Sequence, residues 1–117
     1  MKTVTKYIDS IRSNIDFRLG QNAKENFELI DDSHPQDLWF HIHQEPSTHV
    51  VVHIPPDQKY DKKAIHKIVI QGALLCKQHS MYRSAKDITI MYTTVQHVVK
   101  GTRVGTVSVE QYKTVKV

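Results

Sequence analysis

The sequence predicts an α+β fold: a mostly antiparallel sheet with one long amphipathic helix packed across one face. Three observations carry that prediction. Residues 37–43 and 48–54 are strand-like runs of alternating side chains, joined through Pro46. Ala64, Ile65, Ile68, Val69, Gly72, Ala73, Leu75 and Cys76 recur with the period of a helix face. The tail is dominated by Val, Ile, Thr and Tyr. A length of 117 residues suits one domain spanning 1–117 and is too short for two.

The elements follow in chain order. Ile15, Phe17 and Leu19 alternate with Asp16 and Arg18, which predicts a half-buried strand. Residues 5–11 supply its hairpin partner across an Arg12–Asn14 turn, or form a short helix over 3–12 with Val4, Ile8 and Ile11 on one side. Gly20 ends the strand, and Asn22 caps a short helix through Ala23, Lys24 and Glu25. Residues 31–36 are a loop. In the central hairpin Leu38, Phe40 and Ile42 face one way, Trp39, His41 and His43 the other. Across from them Val50, Val52 and Ile54 oppose His49, Val51 and His53. Pro55, Pro56 and Asp57 precede the long helix, expected over residues 59–80, whose aliphatic stripe packs on the Leu38, Phe40 and Val52 face. Lys59, Lys63 and Lys67 fall on its solvent side. Strands are expected over 88–92, 95–99, 106–109 and 112–117, with Glu110 and Gln111 closing a final hairpin.

Composition narrows the function classes. No apolar run approaches the roughly 20 residues of a membrane helix, and Met1 to Lys6 lack the apolar stretch of a secretory signal. The lone Cys76 excludes an internal disulfide and fits a reducing, cytoplasmic setting. The net charge of +4 is mild but uneven: residues 1–58 carry 5 basic and 9 acidic side chains, residues 59–117 carry 11 and 3. A basic surface of that kind suits phosphates. No P-loop, dinucleotide-binding glycine pattern or Ser-His-Asp spacing is present, so the chain reads as a non-enzyme with no cofactor.

Several segments resemble the NFACT-R domain family. Gly20-Gln21-Asn22-Ala23-Lys24-Glu25-Asn26 is similar to the family's Asn-Ala-x-x-Asn helix start. Asp37-Leu38-Trp39-Phe40-His41 reproduces its Asp-Leu-Trp-Phe-His strand, and Thr48-His49-Val50 its Ser-His-Val strand. Pro55-Pro56, Tyr92-Thr93, a basic glycine loop and a closing Lys-Thr-Val-x-Val at 113–117 follow in order. The chain departs from the pattern at Gln21, where Arg is usual, and at Ser47-Thr48, which lacks a glycine. It departs also in the proline-free loop Lys100–Gly105, and at Met81, where lysine is frequent. The resemblance implies nucleic-acid binding, most of all to RNA. The family's large members act in ribosome-associated quality control, binding the large ribosomal subunit and recruiting tRNA. It thus implies tRNA or ribosomal RNA as partner, with ribosome-quality-control proteins nearby, no membrane, and DNA as an alternative.

Particular side chains would carry that binding. Trp39 with His41 forms a stacking platform for unpaired bases, or else Trp39 fills a second small core under the N-terminal hairpin. Asn22 and Lys24 present a helix N-terminus to phosphate. His49, Lys63, Lys67, Arg83, Lys86, Lys100 and Arg103 supply further contacts, with Arg83, Lys100 and Arg103 favoured because loops display them. The five histidines from His34 to His53 suggest a face that gains charge below pH 6.5; a zinc site there is the less favoured reading. Cys76 reads as a buried, inert thiol. Two other functions stay open: an adaptor docking an acidic protein on the Lys59–Lys67 face or the last strand, and a metal-dependent enzyme using the histidines.

Overall fold

Alternation on the middle strands decides where the other elements pack. A computed structural model describes residues 1–117. Its elements are β1 (Lys2–Ile8), β2 (Ser13–Gly20), α1 (Ala23–Asp31), β3 (Leu38–Ile42), β4 (His49–Val52), α2 (Lys62–Gln78), β5 (Thr89–Thr94), β6 (Val98–Lys100), β7 (Val107–Val109) and β8 (Lys113–Lys116). Six strands form one antiparallel sheet in the order β1-β2-β4-β3-β5-β8, and β6 pairs with β7 in a separate ribbon. The α+β class and the N-terminal and central hairpins are as the sequence predicts. The first strand begins earlier than expected, and a tight turn through Asp9–Ile11 leads to Arg12 at φ 49.

Period two puts Phe17, Leu19, Leu38, Phe40, Ile42, Val50 and Val52 on one face, where they bury against Ile68, Val69, Ala73, Leu75 and Cys76 of α2. The long helix therefore packs where expected. It starts at Lys62 because the Asp61 carboxylate accepts the Ala64 N–H at 2.8 Å, a cap that the preceding prolines do not provide. Lys59, Lys63 and Lys67 stay exposed.

The opposite face carries a second core of Leu29, Ile30, Trp39, Val51, Met91, Val95 and Val98. Two elements cover it, and both differ from the sequence reading. Helix α1 runs on to Asp31, because Leu29 and Ile30 add an apolar turn over Trp39 and Val51. The expected final hairpin does not form: β7 folds back on β6 over the second core, while β8 pairs with β5. The two termini of that segment face different layers, Val107 and Val109 packing on the second core and Val115 on the first. The expected strand over 95–99 likewise begins as a helical turn at Val95–His97.

Gly72 marks the closest approach of α2 to the sheet, since a Cβ there would lie 2.5 Å from the Phe40 ring. Alanine normally favours a helix over glycine by about 1 kcal/mol, yet overpacking a filled core costs about 1–3 kcal/mol. Gly72→Ala is therefore expected to lower the urea midpoint of unfolding; an unchanged or higher midpoint would show that Phe40 has room to move.

Candidate nucleic-acid interface

The site begins at the start of α1. The Asn22 side chain accepts the Glu25 N–H at 2.9 Å, and Glu25 Oε1 accepts the Gln21 N–H at 3.0 Å, a reciprocal cap. The first N–H groups of a helix have no intrahelical acceptor. The glycine loop sits directly on this end. Gly105 has φ +88, and a Cβ there would meet the Ala23 Cβ at 2.7 Å. The loop is closed by Thr106, whose N–H and hydroxyl donate to the Arg103 carbonyl at 3.1 and 2.7 Å, and whose carbonyl accepts the Gly101 N–H at 2.7 Å.

Between this loop, α1 and the central hairpin lies a cleft of about 400 Å³. Asn22, Ala23 and Asn26 line it from α1, Arg103 to Thr106 from the loop, and His41, Ser47, Thr48 and His49 from the hairpin. A second cleft of about 480 Å³ shares His41, Pro46, Gly105 and Thr106 with it and continues over Trp39, His43, Met91 and Tyr112. Asn22, His41, His49 and Arg103, singled out in the sequence separately, thus meet in one place.

Trp39 is fully buried, so it offers no open face to a base and instead fills the second core. That core lies under α1 and the β6–β7 ribbon, not under the N-terminal hairpin. The His41 ring stacks over Trp39 at 5.5 Å and 6°, and His49 stands edge-on to both. The Trp39 Nε1–H donates to His49 Nδ1 at 3.2 Å. An indole nitrogen can only donate, so this bond fixes His49 with its proton on Nε2. His41 Nδ1 lies 2.7 Å from the Ile42 carbonyl, so that nitrogen carries the proton and Nε2 is left as an acceptor.

Burial, reinforced by the nearby His41, pushes His49 down to about 3, and burial also lowers His41 against the opposing effect of the Ile42 bond. The expected gain of charge below pH 6.5 therefore fails for these two rings, because their surroundings exclude the water that would solvate an imidazolium. No group of three His, Cys, Asp or Glu side chains is placed to hold a metal. Cys76 is buried and its thiol is pushed up to about 12, as an inert core thiol should be.

Asn26 stands in the helix-start motif of the sequence but was given no role in the site. It is buried, and its Oδ1 accepts the His49 backbone N–H at 3.3 Å. A Cβ on Gly20 would collide with that same Oδ1, so the glycine is what lets Asn26 reach the strand. The available signal was its position four residues after the capping Asn22, one turn along the same helix face.

The basic candidates do not form one patch. Arg103 is exposed at the cleft and makes no ion pair. Lys100 is committed to Asp31 at 2.6 Å and lies over the Phe27 ring. Lys24 is 3.9 Å from Glu28 in an exposed pair that contributes little. Arg83 and Lys86 are exposed in the segment after α2, where Tyr82 lies against Glu45 of the central hairpin. Lys63 and Lys67 sit across the sheet, lining a groove of about 590 Å³ with Tyr7, Lys62 and His66.

A family model, the NFACT protein RNA binding domain, matches residues 11–111. The chain belongs to that family. No curated protein sequence matches it. Among solved structures, the C-terminal of the fibronectin/fibrinogen-binding protein from Streptococcus suis is similar in fold, with a TM-score of 0.78 at 22% identity. The alignment covers 97% of this chain and 44% of that one, so the chain spans less than half of that relative. In this NFACT RNA-binding domain three of the departures from the family pattern, Gln21, Ser47 and Thr48, line the cleft, while Met81 is exposed and does not. The loop that lacks the family's prolines is closed by Thr106 instead. No helix is long and apolar enough to cross a membrane.

The buried imidazole has a pH signature. Below its ordinary value of 6.5 the unfolded chain takes up a proton that folded His49 refuses down to about 3. Its contribution to stability is then complete above pH 6.5 and declines as pH falls through that window. An NMR titration is expected to show the His49 ring unchanged between pH 7 and 5; a midpoint near 6.5 would contradict its burial.

Proposed function

We propose that this domain captures RNA in the cleft between the start of α1 and the glycine loop, with tRNA or ribosomal RNA as its partner. The observation that carries this is the unpaired Arg103, held at a cleft whose lining contains no carboxylate. Membership in an RNA-binding family supports it. Affinity arises from phosphates neutralised by Arg103 and Lys24, while shape selects a strand that can enter the cleft. A base stacks on His41 rather than on Trp39, with the indole supporting the imidazole from behind. Lys63 and Lys67 give a second phosphate contact across the sheet, and Arg83 and Lys86 extend the first toward the central hairpin. Lys100 serves to hold the loop to α1 through Asp31. The setting is the cytoplasm, in translation or ribosome-associated quality control, and the activity is binding rather than catalysis.

Fluorescence anisotropy of labelled tRNA, unstructured RNA and duplex DNA across a salt series tests this. Arg103→Ala is expected to weaken tRNA binding about 5- to 10-fold and to flatten the salt slope by about one. Equal affinity and slope for the variant would remove Arg103 from the interface. Tighter binding to duplex DNA would favour a DNA-binding module. A protein partner retained after nuclease treatment, with no RNA affinity, would favour an adaptor for an acidic protein.

A further inference from the structure

We propose that the floor of this cleft is a preformed subsite for one phosphate group of a single RNA strand, held by the start of α1, the Asn26 side-chain amide and the Nε2–H of His49. The inference rests on the RNA-binding reading above and names the chemical group that the cleft recognises.

The helix start alone would not make a site. Two buried side chains independently point to a ligand. His49 is 1% exposed, and its Nδ1 is occupied by the Trp39 N–H, so Nε2 must carry the remaining proton. Asn26 is 8% exposed, and its Oδ1 is occupied by the His49 backbone N–H, which turns its amide NH₂ the other way. Neither donor has a hydrogen-bond partner within the chain, yet no fully enclosed side-chain nitrogen is left unsatisfied. Both groups therefore keep a sliver of surface, and the cleft is the cavity that both residues line. Donors that open on a cleft in this way are met by water in the free domain and can exchange it for an acceptor on a ligand.

The acceptor is an anion with several oxygens. The start of α1 brings partial positive charge and Arg103 adds a full one; the carboxylate nearest this end, Glu25, is engaged by the Gln21 N–H and the Met1 ammonium and does not line the cleft. Donor-bearing residues of a helix, a strand and a loop line the cleft, so acceptor oxygens pointing in several directions, as in a tetrahedral phosphate, can each meet one. Asn26 and His49 are buried, so the phosphate must leave the surface of its own strand to reach them. A flexible single strand or a strand end permits that; a duplex fixes the nucleotides on either side.

The test uses the full chain and single-stranded pentanucleotides with either a 5′-hydroxyl or a 5′-phosphate. Long-range ¹H–¹⁵N imidazole spectra are expected to show His49 protonated at Nε2 and to shift that resonance as RNA saturates the protein. His49→Asn keeps an acceptor for Trp39 but is shorter, so its amide N–H falls back from the position of Nε2, and it is expected to weaken binding about 10-fold. A larger effect with the 5′-phosphate would assign a terminal phosphate, and equal effects an internal one; either supports the subsite. RNA binding that leaves the wild-type His49 resonance unmoved would overturn the subsite and leave the RNA-binding reading standing. Failure of every RNA to bind would overturn both.

Discussion

The hydrogen bond from Trp39 to His49 is the interaction on which the functional face depends. Trp39 supplies the largest side chain of the second core, but its indole N–H would be left without a partner there. His49, on the neighbouring strand, accepts it at 3.2 Å. One bond thereby permits the tryptophan to be buried beside an imidazole that its own burial keeps neutral. It also selects the tautomer and fixes which ring nitrogen opens on the cleft. His41 then rests on the indole, and Asn26 holds the backbone of His49 from the helix above. The polar chemistry at the surface is thus oriented from underneath by packing.

The two faces of the sheet divide the work. The α2 face is aliphatic and built for stability, with Phe40 pressed against Gly72. The α1 face is smaller and mixes apolar with polar groups, and its cover is made of short elements: a nine-residue helix and a ribbon of three-residue strands. Such cover leaves gaps, and the clefts lie where the glycine loop meets the helix end. Gly105, in a backbone conformation that side chains rarely adopt, makes that meeting possible.

Much of this was legible in the residues. Strand alternation gave the two faces of β3 and β4, and the helical stripe gave the packing of α2. The motif around Asp37 to His41 pointed to the family. Other features depend on contacts distant in sequence, which local patterns do not encode. Whether β7 pairs forward to β8 or back to β6 is settled by which core needs covering. Trp39 and His41 read as a platform because alternation shows that they share a face; it cannot show that α1 and the ribbon cover that face. The histidines misled for the same reason, since proton affinity follows burial and neighbours more than residue type. The charge count was correct in total, yet Lys100 is tied to Asp31, and Lys63 and Lys67 face away from the cleft.

The most direct test of the central claim is photochemical crosslinking of 4-thiouridine-labelled single-stranded RNA to the protein, with the modified peptides located by mass spectrometry. The account predicts crosslinks within residues 21–26 and 100–106, beside the cleft. Crosslinks confined to the outer surface of α2, or to the free edge of β1, would place RNA elsewhere and contradict it.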